Sequence, residues 1–189
     1  NEIRIYDISN IFAPTSVGGV DMGASGMNLS HPIVSGKYLY VSGTADPGTC
    51  SGTNIPGCEL KIYDISNPTA PVAVGGYSTN AWVASISLQG RYIYLTTTSN
   101  GGDEFSIIDV SNPASPTFTD GVALGTDGID AKVSGKYAYV TNGNVTGTCS
   151  GVTLTGCEFR VYDISDPTNI TAVRSEEHTS ELQSHYSIS

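Results

Sequence analysis

The chain has 189 residues, 39% hydrophobic and only 14% charged, with 22 Gly, 9 Pro, 11 Tyr and a formal net charge of −10. No apolar run reaches the ~18 residues of a membrane span, no Lys/Arg-rich tract offers a surface for nucleic acid, and Ala, Glu, Lys and Leu are too scarce for a helical bundle. What is left is an acidic, turn-rich, all-β chain of about one domain, whose charge also disfavours an anionic membrane surface.

In chain order, Asn1 is preceded by no Met and no charged-then-apolar leader, and Glu2 to Ser9 already reads as strand, so the chain is expected to be cut from a longer one. Ser30 to Val34 is the first complete predicted strand, and a Ser-Gly turn carries it into the Tyr-x-Tyr strand of VSGKYLYV, Val34 to Val41. The loop GTCSGTNIPGC, Gly48 to Cys58, then leads to ELKIYDISNP, Glu59 to Pro68, whose Asn-Pro turn opens a fourth strand, Val72 to Tyr77. The same succession returns as Ser85 to Leu88, LQGRYIYL (Leu88 to Leu95) and EFSIIDVSNP (Glu104 to Pro113). It returns again as Asp130 to Val133, VSGKYAYV (Val133 to Val140), GTCSGVTLTGC (Gly147 to Cys157) and EFRVYDISDP (Glu158 to Pro167).

The period is the main signal. Asp7, Asp64, Asp109 and Asp163 recur at intervals of 57, 45 and 54, and the longer intervals hold the cysteine loops where the middle repeat has only TTTSNGGD, Thr96 to Asp103. The basic unit is therefore about 45 residues, the size of one propeller blade. Tyr38/Tyr40, Tyr92/Tyr94 and Tyr137/Tyr139 share one face of their strands, while Leu39/Val41, Ile93/Leu95 and Ala138/Val140 share the other. Bulk on both faces suits a sheet sandwiched between neighbours.

The expected architecture is a β-propeller fragment of about three and a half four-stranded antiparallel blades: a partial blade at 1–20, then 28–79, 82–124 and 128–173. Propellers close with typically four to eight blades, so missing blades of the same chain are expected partners. The fragment alone is expected to be poorly soluble or unstable.

After Val173 the rhythm stops, and RSEEHTSELQSHYSIS, Arg174 to Ser189, resembles the in-frame translation of a common sequencing adapter. The segment is expected to be non-native and is excluded from fold reasoning, a short polar helix being the alternative. Without it 173 residues remain, with 7 basic and 15 acidic side chains, and His31 is left as the sole histidine.

The units IYDISNPTAPVAVGGYST (Ile62 to Thr79), IIDVSNPASP (Ile107 to Pro116) and DAKVSGKYAYVTNG (Asp130 to Gly143) resemble the LVIVD repeat, found in bacterial and archaeal exported or surface proteins. The resemblance covers about Glu2 to Val173 and implies a propeller, exported, without assigned catalytic residues. Two departures stand out: Ile11 and Phe12 replace the Pro-Thr of Pro68 and Thr69, and Ile170 stands where Pro71 and Pro116 stand.

Four groups of residues carry possible chemistry. Cys50/Cys58 and Cys149/Cys157 each enclose a short loop between adjacent strands, and a local disulfide at each is the simplest of the three possible pairings. Zinc is disfavoured because C-x-x-C spacing is absent, and two disulfides imply an oxidising compartment. The repeated Asp7, Asp64, Asp109 and Asp163 are expected to accept turn N–H bonds before the Asn-Pro corner, with acid/base work or Ca²⁺ binding as alternatives.

His31, Ser85 and Asp130 fall at equivalent positions of inner strands. That invites a triad, but whole strands are expected to separate them, Ser85 has no nucleophile elbow, and the family resemblance gives Asp130 as the usual residue there. His31, Trp82, Ser85, Asp127 and Asp130 are instead candidates for lining the central channel, with a ligand or Ca²⁺ site as the functional possibility. Asn28, Asn144 and Asn169 sit in N-x-(S/T) sequons, expected to be coincidental, and Trp82 could stack on a sugar. The expected function is a non-enzymatic, exported scaffold contacting protein or glycan. A metal-dependent, lactonase-like hydrolase and a purely structural spacer are the alternatives.

Overall fold

A computed structural model describes residues 2–21, 30–44, 48–143, 149, 154 and 156–173, and for Ser30 and His31 the backbone alone. The 174–189 segment and the sequons at Asn28 and Asn144 lie outside the described residues.

Among the described residues every regular element is a strand. The first pair is β1 (Ile3–Asp7) and β2 (Thr15–Val20); then come β3 (Ser30–Ser35), β4 (Tyr38–Ser42), β5 (Leu60–Asp64) and β6 (Val72–Tyr77). They are followed by β7 (Val83–Gln89), β8 (Tyr92–Thr97), β9 (Phe105–Asp109) and β10 (Thr117–Val122). The last set is β11 (Gly128–Ser134), β12 (Tyr137–Asn142), β13 (Phe159–Asp163) and β14 (Thr171–Ala172). They form one two-stranded sheet, β1-β2, and three four-stranded meanders, β3 to β6, β7 to β10 and β11 to β14.

Local chemistry explains the meander. The first hairpin of each unit closes in two residues, with Ser35 opposite Tyr38, Gln89 opposite Tyr92 and Ser134 opposite Tyr137. Gly36, Gly90 and Gly135 meet the turn's need for a left-handed backbone, at φ 57, 62 and 59°. The turn after the third strand is built from two successive side-chain-to-backbone bonds. Asp64 accepts the Ser66 amide at 2.8 Å and Asn67 accepts that of Thr69 at 3.1 Å; Asp109 with Asn112, and Asp163 with Asp166, do the same.

The core lies between sheets. Inner strands β3, β7 and β11 are neighbours in succession, so each sheet presents one face forward and one back. Tyr40, Leu60 and Ile62 of one sheet pack on Val83, Ile86, Ile93, Leu95 and Ile108 of the next. One unit on, Tyr94, Phe105 and Ile107 meet Ala131, Ala138, Val140 and Tyr162. Ile3 and Val20 of the β1-β2 sheet meet Leu39, Val41 and Tyr63 in the same manner. Each fully buried aliphatic side chain contributes about 1.5–3 kcal/mol, which is why both strand faces are apolar. Forward-facing positions of the last sheet, Tyr139 and Phe159, are 37% and 54% exposed and stack on each other, centroids 6.4 Å apart.

The outer seam between sheets has its own rule. A Cβ on Gly18 would lie 2.1 Å from the carbonyl oxygen of Pro68, and one on Gly75 would lie 2.3 Å from that of Pro113, so only glycine lets the backbones approach. The equivalent residue of β10 is Asp120, and its carboxylate accepts the backbone N–H of Ile170 at 2.7 Å. Proline at 170 would have no N–H to give. Both departures, Asp for Gly and Ile for Pro, thus meet in one bond.

Candidate functional site

At the inner edge, Ser85 of β7 is 1% exposed, and its hydroxyl donates to the carboxylate of Asp130 on β11. This corrects the expectation that whole strands part these positions: inner strands converge toward the shared edge, so equivalent residues of successive sheets touch. Lys132 Nζ lies 2.9 Å from the same Asp130 oxygen. Partial burial pushes the Asp130 carboxyl up, while the bonds from Ser85 and Lys132 pull it down, leaving it below the ordinary carboxylate value. Ser87 adds a second stitch, its hydroxyl donating to the Ala131 carbonyl at 3.0 Å. His31 lies on β3, and its side chain is outside the described residues.

The remaining inner-edge candidates serve loops. Asp127 is exposed, and its carboxylate accepts the Ser99 amide at 2.6 Å, tying the β8–β9 loop to the following sheet. The Trp82 carbonyl accepts the Thr98 amide at 2.9 Å, and the residue is exposed. Among the described residues no three His, Cys, Asp or Glu side chains gather as a metal ion requires.

The repeated aspartates close the third strands, at the end of each sheet where the first hairpin turns. Besides its turn amide, Asp64 pairs with Lys37 at 2.9 Å, Asp109 with Arg91 at 3.2 Å and Asp163 with Lys136 at 3.1 Å; Asp7 accepts the Ser9 amide at 2.8 Å. Bonds from Ser66 and Lys37 draw the Asp64 carboxyl down to about 2, and those from Ser165 and Lys136 do the same for Asp163. Each basic side chain also lies about 5 Å from the ring of the tyrosine after it.

Sequence reasoning passed over the glutamates at the start of the third strands. Glu104 is 2% exposed; Oε2 accepts the amides of Leu124 at 2.6 Å and Gly125 at 3.1 Å, and Oε1 accepts the Ser99 hydroxyl at 3.0 Å. Glu59 accepts the Thr79 amide at 2.9 Å. Glu2, Glu59, Glu104 and Glu158 recur as regularly as the aspartates, and that was the available signal.

Two disulfides close the β4–β5 and β12–β13 loops, Cys50–Cys58 with Cα atoms 4.8 Å apart and Cys149–Cys157 with 4.5 Å. The β8–β9 loop is shorter, and beside it a groove of about 360 Å³ opens between β6 and β10, lined by Tyr77, Ser78, Asn80, Asp103, Ser106 and Phe118.

Four-stranded meanders that share an inner edge and bury alternate faces against one another are blades of a β-propeller repeat protein. The family profile of the LVIVD repeat matches residues 57–79, 82–123 and 127–145, so these segments of the blades are LVIVD repeats. No curated protein matches the chain.

Proposed function

We propose that the chain is a non-catalytic binding module of an exported, cell-surface protein, in which stacked blades hold rigid loops for recognition. The carrying observation is the pair of local disulfides, one on each of two equivalent blade loops. Such bonds persist in oxidising compartments, and by fixing a loop in advance they lower the ordering cost of binding. The inner edge supports the same reading. Ser85, Asp130 and Lys132 are spent on one another, so the serine donates to a lysine-held carboxylate rather than to a free base.

The test is to alkylate free thiols during fractionation of cells that produce the protein naturally. The expected result is surface or extracellular protein whose four cysteines label only after reduction. Cytoplasmic protein with all four cysteines labelled would overturn the proposal.

A further inference from the structure

We infer that the groove between β6 and β10 binds a neutral oligosaccharide, with Tyr77 and Phe118 as its stacking surfaces and Asn80 and Asp103 as its hydroxyl-recognising groups. The inference rests on the binding-module reading and names the ligand of that module.

The groove exists because the middle repeat lacks the cysteine excursion: its β8–β9 loop runs only from Thr98 to Glu104, leaving open the flank that the Cys50–Cys58 loop occupies one blade earlier. The volume of about 360 Å³ is within the range of small-ligand sites. A second hollow of about 350 Å³ shares Tyr77 and Ser78 and continues past Ser51, Gly52 and Pro116. Because the two hollows share these lining residues, they offer adjacent places for successive rings.

Its frame is fixed by bonds that leave the groove-facing groups unused. Asn100 Nδ2 reaches the carbonyls of Thr79 and Asn80, both at 3.3 Å, and its Oδ1 accepts the Gly102 amide at 3.0 Å. Glu59 holds Thr79 from below, while Asp127 and Glu104 hold Ser99. Asn80 itself is kept at φ 55°, a left-handed backbone that asparagine tolerates better than most residues. Among the described residues, the Asn80 amide, the Asp103 carboxylate and the Tyr77 hydroxyl have no protein partner.

Chemistry selects the ligand. Phe118 is 48% exposed and Tyr77 half-buried, a pair of flat apolar faces that suit the C–H face of a pyranose. A planar amide, a carboxylate and serine hydroxyls suit its hydroxyl groups. The single charge among the lining residues is negative, and the nearby blades' Lys37, Arg91, Lys132 and Lys136 are all paired with aspartates elsewhere. An anionic sugar would meet Asp103 without a counter-charge.

Calorimetric titration of the full chain with maltohexaose, cellohexaose, chitohexaose in its N-acetylated form, and hexagalacturonate provides the test. At least one neutral hexamer is expected to bind, and hexagalacturonate is not. Phe118→Ala is expected to weaken binding at least about 10-fold, or ~1.4 kcal/mol, and Tyr77→Phe several-fold. Phe12→Ala, at an exposed residue of another blade, is expected to leave it unchanged, and thermal melts check that each variant folds. Failure of every probe overturns the inference, as does a preference for hexagalacturonate. Binding that survives both Phe118→Ala and Tyr77→Phe removes this groove while leaving the module reading intact, since thiol labelling decides that reading separately.

Discussion

Replacing the third-strand glutamates by alanine one at a time discriminates between a working clasp and a mere sequence habit. Glu104 satisfies the buried Leu124 amide, the neighbouring Gly125 amide and the Ser99 hydroxyl from one buried carboxylate. Glu104→Ala orphans the buried Leu124 amide, at about 1–3 kcal/mol, and removes the bonds from the solvent-reached Gly125 amide and Ser99 hydroxyl, at about 0.5–1.5 kcal/mol each, so the loss is about 4 kcal/mol. Glu59 makes one such bond, to Thr79, so Glu59→Ala is expected to cost about 2 kcal/mol. Glu158 is exposed and, among the described residues, its carboxylate holds no amide; Glu158→Ala is expected to stay within about 0.5 kcal/mol. Glu104→Gln separates hydrogen bonding from size, because the carboxamide oxygen still accepts the amides and its NH₂ can donate to Ser99. Its expected cost is about 1 kcal/mol. Circular dichroism melts read the series: at about 2–4 °C per kcal/mol for a chain of this size, Glu104→Ala should melt roughly 10 °C early. Equal losses at all three positions, or Gln as damaging as Ala, would refute the reasoning.

The seam bond between Asp120 and Ile170 predicts non-additivity: Ile170→Pro and Asp120→Gly should each destabilise, while the double variant, restoring the Gly–Pro pair of the earlier seams, should recover about 1–2 kcal/mol in urea unfolding. Additive losses would show that the bond contributes nothing. Thr96 is fully buried and, among the described residues, its hydroxyl has no hydrogen-bond partner, so Thr96→Val, nearly isosteric, is expected to stabilise by about 1 kcal/mol; a lower melting temperature would contradict this. Asp64 and Asp163, drawn from 3.8 to about 2, favour the folded state above pH ~3.8, and that contribution is lost as pH falls through about 2. Carboxyl carbon NMR titration should place both midpoints near 2, and midpoints near 3.8 would show that the turn bonds and lysine pairs do not form in solution.

Much of the fold was legible because repetition turns weak local signals into a pattern. One Tyr-x-Tyr strand or one Asp-Ile-Ser-Asn-Pro corner is ambiguous, but three or four copies at blade spacing, bulky on both faces, leave a stack of sheets as the arrangement that buries both. The cysteine pairing was equally local, each pair being separated by 8 residues. Proximity across blades was not legible. Ser85 and Asp130 are 45 residues apart, and Asp120 and Ile170 are 50 apart; no period or propensity says that their side chains meet. The groove at Tyr77 and Phe118 belongs to neither blade by itself. Backbone preferences and alternation act over a few residues and are written along the chain, whereas convergence of inner strands and opening of outer seams depend on how twisted sheets stack, which packing between distant segments decides.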